Sequence, residues 1–542
     1  MNRFIYKMLV VLGVLMISSC ELDLLDNPNA VTLESADPDF LVTNIQTNFA
    51  SFFNDASSRG GRVTRMYHQA SDTYEISYAP VSQDGIWNNA YANILTDINT
   101  LKTIASERNL RRHAGIAKTI EAYVWMELVD IFGSIPFSEA FDPGNFNPKV
   151  DDGATIYTAA LNLLNSARED FTAAESVGSP VDLFYGRNYT KWQKLINTLE
   201  FRYHLNRRLI DKAGATAGIN KLVNEGNLIG TGDDFVFSYT KNTTDPDSRH
   251  PSYIGQFPGG GGDYQSVFYL WHLTEAKGFD DPRAPYYFYR QVGSNPTSET
   301  EARCITQFPP AHYPIGMVWC MPGTRGYWGR DHLDPQGIPP DNLKRTLWGL
   351  YPAGGTFDNN TPTAMSASNV GNGGAGIQPI MLAAYVDFMK AEAALELGTP
   401  GNPKQLMLDG ITKHINYVRS WSLGTAESAK VRAYISDDDH NARRQQYLDQ
   451  ASADYDNDAN KMRIIAREYW ISLFGNGAEA YNLYRRTGQP DNMQPGQIPN
   501  FGKFPRTFFY PASHVERNAA AVQKANHDAQ VFWDNNPPGF IN

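Results

Sequence analysis

Apolar residues recur every three or four positions through long stretches of this chain, and that spacing limits its fold more than any other feature. Trp87, Tyr91, Ile94, Leu95, Ile98, Leu101 and Ile104 form one stripe. Ile116, Ile120, Tyr123, Val124, Leu128, Ile131 and Phe132 form a second, and Trp192, Leu195, Ile196, Leu199, Tyr203 and Leu209 a third. A 3.6-residue turn gathers each set on one helix face, which is buried only by packing against another element. The second stripe stops at Gly133 with Pro136 beyond it, a normal helix end. The period returns over 379–397, where Pro379 suits the first helical position, and again near 404–423 and 459–475. Paired helices of this length predict stacked tetratricopeptide-like hairpins, although no 34-residue sequence period accompanies them.

Between about 236 and 378 the pattern is lost. Phe257-Pro-Gly-Gly-Gly-Gly262, Gly323-Thr-Arg-Gly-Tyr-Trp-Gly-Arg330 and Tyr351-Pro-Ala-Gly-Gly355 are typical, and Trp271, Trp319, Trp328 and Trp348 all fall here. Without clear helices, this stretch is too long to be one loop of a compact domain. It is expected to pack as irregular structure over the helices, where recognition residues commonly sit. The fold class is therefore mostly α, a tetratricopeptide-like hairpin scaffold with a loop-rich ligand-binding half. The boundaries expected are a leader over 1–19, a tether over 20–36 and one domain over 37–542. Within that domain the scaffold takes about 37–235 and 379–480, and the loop-rich part about 236–378 and 481–542.

The leader reads as an export signal. Arg3 and Lys7 precede the apolar run Met8–Ile17, which is too short for a membrane-spanning helix. Ile17-Ser-Ser-Cys20 resembles a bacterial lipobox, in which Cys20 is acylated and becomes the new N-terminus. Two or three acyl chains hold such a protein stably on a membrane, whereas one binds only reversibly. Residues 21–36, beginning Glu-Leu-Asp-Leu-Leu-Asp-Asn-Pro, read as an acidic tether with turn residues.

Apolar residues make up 42% of the chain and charged ones 19%, so the body folds around a core. A net charge of −11 excludes a nucleic-acid partner, which needs a basic stripe. Beyond Cys20 only Cys304 and Cys320 remain. In an oxidising compartment they form a disulfide, worth about 3 kcal/mol for a loop of this size, or stay as two buried thiols. Neither has a His at ligand spacing, so no metal is expected, and no cofactor.

Motifs for chemistry are sparse. Gly371-Asn-Gly-Gly-Ala-Gly376 matches GxGxxG but lacks a preceding strand, so it reads as a loop entering the next helix. Asp454-Tyr-Asp-Asn-Asp458 starts like a calcium loop, yet Ala459 and Ile465 occupy the positions that need Gly and Glu. It reads instead as a solvated acidic cap for a helix at 459, and Asp437-Asp-Asp-His440 as helix-capping acids. No HExxH, GxSxG or P-loop occurs, so the chain is expected not to be an enzyme. Carboxylate pairs for glycoside hydrolysis need no fixed spacing, which keeps a surface hydrolase as the rival.

Four stretches in order carry a further signal. They are Trp87-Asn-Asn-Ala-Tyr91 through Asn99, and Asp130-Ile-Phe-Gly-Ser-Ile-Pro-Phe-Ser-Glu139. Next come Ala466-Arg-Glu468 with Glu479-Ala-Tyr-Asn-Leu-Tyr-Arg-Arg-Thr-Gly488, then Phe504-Pro-Arg506 with Tyr510-Pro511 and Glu516-Arg-Asn518. Together they resemble the SusD/RagB nutrient-binding outer-membrane lipoproteins. Ala480-Tyr481 replaces the Gly common before the central Arg, which points to a divergent branch. The resemblance implies four helical hairpins that pack on a SusC-like TonB-dependent transporter, and loops opposite that grip ligand. It also implies a lipid-anchored, outward-facing position, with Glu21 and Asp23 resembling a surface-export signal. The ligand expected is an oligosaccharide, with an oligopeptide as the alternative; a purely structural lipoprotein is a third reading. Ligand is expected on Trp319, Tyr327, Trp328, Arg330, Asp331 and Trp348 of the irregular half. Relatives place ligand groups on an early loop, which adds Asp72, Tyr74 and Tyr78.

Overall fold

A computed structural model of the chain describes residues 36–257, 264–335, 343–365 and 369–541. The leader, Cys20 and most of the tether lie outside the described residues. Helix α1 (Pro38–Val63) opens the frame, with the Asp37 carboxylate accepting from the Asp39 N–H at its start. The first stripe runs through Asp84–Asn88, a π-helical turn Asn89–Leu95 and α2 (Thr96–Glu107). The second stripe is α3 (Arg111–Phe132), which stops at Gly133 with φ 77°. Helices α4 (Gly153–Thr172), α5 (Tyr189–Arg207) and α6 (Lys212–Glu225) complete the first half. The frame resumes with α7 (Ala383–Leu397), α8 (Pro403–Leu423), α9 (Asp437–Asn457), α10 (Lys461–Ser472) and α11 (Gly477–Thr487).

Sequential helices pack as hairpins, α1 on α2, α3 on α4, α5 on α6 and α7 on α8. Their apolar faces and the aromatic residues of the irregular half share one continuous core. Helix α11 then returns across α1 at backbone-to-backbone distance. A Cβ added to Gly477 would stand 2.1 Å from the Gly61 N and the Ser57 O, so only glycine fits. The Ser57 hydroxyl fastens the crossing, accepting from the Gly477 N–H at 2.8 Å and donating to the Gly475 carbonyl at 2.9 Å.

Beneath this crossing lies a buried ionic network. Arg202 of α5 pairs with Glu127 at 3.0 Å, Asp130 at 3.2 Å and Glu479 at 2.9 Å. Arg486 pairs with Glu392 at 2.8 Å and Glu479 at 3.2 Å, and Arg208 with Glu392 at 3.1 Å. Asp130 also accepts from Tyr157, the Asn482 amide and the Trp533 indole N–H. Residues far apart in sequence are thereby tied at one point. Buried charges are tolerated there because each faces an opposite charge, and Arg202, Arg486, Glu392 and Glu479 each face at least two.

Several sequence expectations change. Pro379 lies not at a helix start but in β2 (Ile377–Met381), antiparallel to β1 (Phe235–Ser238) and opposite Val236. A two-stranded ribbon consists of edges, where the missing N–H of proline is tolerated. The Gly371–Gly376 loop leads into this strand, and α7 begins only at Ala383, whose N–H donates to Asp234 at 2.8 Å. The irregular half contains short helices at Pro251–Gln256, Val267–Thr274 and Ala284–Tyr287. Asp454 is in the last turn of α9, not a cap for the next helix, because Asn460 takes that role. The helical frame extends past residue 480 to Thr487. No helix among the described residues is long and apolar enough to cross a membrane.

Candidate functional site

The end of α1 starts the site. Thr64 closes the helix, Arg65 takes a positive φ of 58°, and the Tyr67 N–H donates back to the Gly61 carbonyl at 3.1 Å. Tyr67 bridges to Gln265, and Ser266 in turn to Arg330. Gly329 permits this approach, since a Cβ there would lie 2.1 Å from the Gln265 carbonyl oxygen. On the far side Phe288–Tyr289 pairs with Leu347–Trp348, and the Trp348 N–H donates to the Gln256 side chain at 2.7 Å.

These segments enclose a cleft of about 310 Å³. Tyr67, Tyr264 and Trp348 supply its aromatic surface; Arg62, His250 and Gln256 are among its polar residues. The Tyr67 and Trp348 rings lie 5.0 Å apart, and Phe474 backs Trp348 at 4.7 Å. The Tyr67 hydroxyl accepts from the Gly475 N–H at 2.9 Å. Tyr264 is only half-buried and lies beneath two guanidinium groups, Arg330 at 4.6 Å and Arg345 at 5.2 Å. Burial lowers His250 to about 3, so its ring is neutral, and its Nδ1 accepts from the Ser252 N–H. His68, edge-on to the Tyr264 ring at 5.8 Å, is also lowered to about 3, by burial first and then by Arg62. Arg62 donates to the His68 carbonyl at 2.6 Å. Aromatic faces beside fixed amide and guanidinium groups suit a neutral polar ligand with apolar ring faces.

The residues singled out from sequence fall at different depths. Trp348 lines the cleft. Trp328 and Arg330, both buried, stand behind Tyr264, with the Trp328 ring 6.3 Å from it. Tyr327 is buried under Arg290 at 4.7 Å, against the same strand region. Asp331 is buried and accepts from the Cys320 N–H at 3.0 Å and the Gln494 amide at 2.6 Å. Tyr74 and Tyr78 are buried as well, hydrogen-bonded to His332 at 2.9 Å and Gln69 at 2.7 Å. Their packed rings present no face to solvent in this arrangement. Asp72 is exposed and Trp319 half-buried, and neither lines the cleft. Trp319 lies in the loop closed by the Cys304–Cys320 disulfide, Cα–Cα 5.5 Å. Tyr67, Tyr264 and His250 were missed by sequence reasoning. Tyr264 follows the glycine run ending at Gly262 with only Asp263 between, a signal that recognition loops often carry. Among the described residues no cluster of His, Cys, Asp and Glu is placed to hold a metal.

Residues 28–302 match a family described as starch-binding and associating with the outer membrane, and 346–531 match the SusD and RagB outer membrane lipoproteins. No curated protein matches the sequence. Among solved structures, a chitin-binding protein is 17% identical with a TM-score of 0.65, over 92% of this chain and 100% of that one. A SusD homologue from Bacteroides fragilis is 18% identical, TM-score 0.64, over 92% and 99% of the two chains. A SusD/RagB family protein from Bacteroides thetaiotaomicron is 17% identical, TM-score 0.65, over 93% and 100%. At such identities these structures speak for the mostly helical fold, and the two family matches together span most of the chain. The chain therefore belongs to the SusD/RagB family of nutrient-binding outer-membrane lipoproteins.

Proposed function

We propose that this protein catches oligosaccharides at the cell surface and hands them, unaltered, to a SusC-like TonB-dependent transporter. The observation that carries the reading is the cleft where Tyr67, Tyr264 and Trp348 meet Arg62, His250 and Gln256. Sugar C–H faces stack on such rings while hydroxyls take up the amide and guanidinium groups. Family membership supports the transport role, and the structural likeness to a chitin-binding protein supports a glycan cargo. Acylation of Cys20 would tether the molecule, with Glu21 and Asp23 directing it outward. The two-part organisation, a helical frame toward the transporter and a loop-rich half toward ligand, belongs to the same proposal.

The test is calorimetric titration of the full-length chain with chitohexaose, maltohexaose and an oligopeptide mixture. Tyr264 is half-buried, so Tyr264→Ala should leave the fold intact and weaken glycan binding about tenfold. Unchanged glycan affinity would remove this cleft from the account; binding of peptides alone would replace the cargo.

A further inference from the structure

A second cleft, of about 630 Å³, opens on another face, between the 271–277 segment, the α9–α10 junction and the turn at 490–492. Its apolar floor is Trp271, whose ring stacks on Phe268 at 6.4 Å and meets His272 edge-on at 4.9 Å. Around it stand three cations, Lys277, Arg463 and Arg467, and three carboxylates, Asp454, Asp458 and Asp491. Arg463 pairs with Asp491 at 2.9 Å and Asp458 at 3.3 Å, Arg467 with Asp454, and Lys277 with the buried Glu468 behind the wall at 3.4 Å, which Arg467 also meets at 2.8 Å. The wall is thus polar, yet close to electrically balanced, which favours a neutral ligand over an anion or a cation.

Behind Trp271 lies His272, its ring enclosed by Phe268 at 4.7 Å, Trp271 at 4.9 Å and Trp470 at 5.1 Å and its Nε2 closed off from solvent. Trp271 itself is only half-buried, so its ring is held in place from behind while it lines the cleft. Trp470 separates the two clefts. Its ring lies 5.1 Å from His272 on one side, while its indole N–H donates to the Thr64 carbonyl beside the first cleft.

We infer that the Trp271 cleft is a second, independent oligosaccharide-binding site, in which a sugar ring stacks on Trp271 and hydroxyls pair with the polar wall at Asn492. The site stands whether or not the first cleft takes glycan.

Calorimetry of the full-length chain with chitohexaose, maltohexaose and cellohexaose tests it, using Tyr264→Ala to weaken the first cleft. Expected is residual glycan binding in Tyr264→Ala that weakens about tenfold when Trp271→Ala is added. Asn492 lines the cleft and is exposed, so Asn492→Ala should also weaken the residual binding without disturbing packing. Residual binding indifferent to both changes overturns the second site, as does its complete absence in Tyr264→Ala. Glycan binding indifferent to Tyr264→Ala but weakened by Trp271→Ala upholds the second site and overturns the first. No binding of any of the three glycans by the unaltered chain overturns the site as one for oligosaccharide.

Discussion

Asp331 shows how single residues serve the cleft from a distance. It holds the Cys320 backbone and Gln494 while deeply buried, and burial lifts its carboxyl to about 7, with Asp334 adding to the rise. Hydrogen bonds from Gln494 and Cys320, and the Arg330 charge, oppose it without cancelling it. Between roughly pH 4 and 7 the folded chain therefore holds a proton that the unfolded chain has released. Stability contributed by this group is complete below pH 4 and is lost as pH rises toward 7. Asp331→Asn should flatten that part of the curve of thermal midpoint against pH; an unchanged slope would remove Asp331 as its source. The same residue marks a limit of sequence reading. Asp331, Trp328 and Tyr327 stood out by chemistry and by their loop, but burial is decided by contacts with segments more than a hundred residues away, such as Gln494. Trp348 was legible as a cleft residue because aromatic type and irregular context happened to coincide with an open face.

The helices were read from their stripes, and where periodicity was strong the elements lie close to where it put them, as α3 and α5 do. Helix α9 buries only His440, Tyr447 and Ala451, so it has almost no apolar stripe to read. Its acidic first turn was still legible, because Ser436 and Asp439 form a reciprocal cap. The α1–α11 crossing was invisible, since nothing local says that Gly60 and Gly477 meet. Gly477→Ala should force these helices apart and destabilise the fold by about 1–3 kcal/mol, read by denaturant unfolding. Wild-type stability would mean that the helices can separate freely. Arg202→Met leaves Glu127, already raised to about 7 by burial, without its main counter-charge. A loss of about 3–5 kcal/mol is expected, and a neutral result would show that the network contributes nothing net. The motifs that revealed the family, Asp130 and the Glu479–Arg486 segment, turn out to be this frame chemistry, which is why they identify the fold and not the cargo.

At the scale of the whole molecule, a helical frame carries aromatic clefts, and the proposed acylation of Cys20 would set where they work. Cys20→Ala should release the protein from the membrane fraction, checked by phase partitioning; retention there would call for another anchor. The proposed role is capture of cargo without conversion. Incubating the full-length chain with mixed glycans and peptides, then reading mass spectra of bound and unbound fractions, tests it most directly. The account predicts intact oligosaccharides in the bound fraction and none shortened in the other. Cleaved glycans, or a bound fraction of peptides alone, would contradict it.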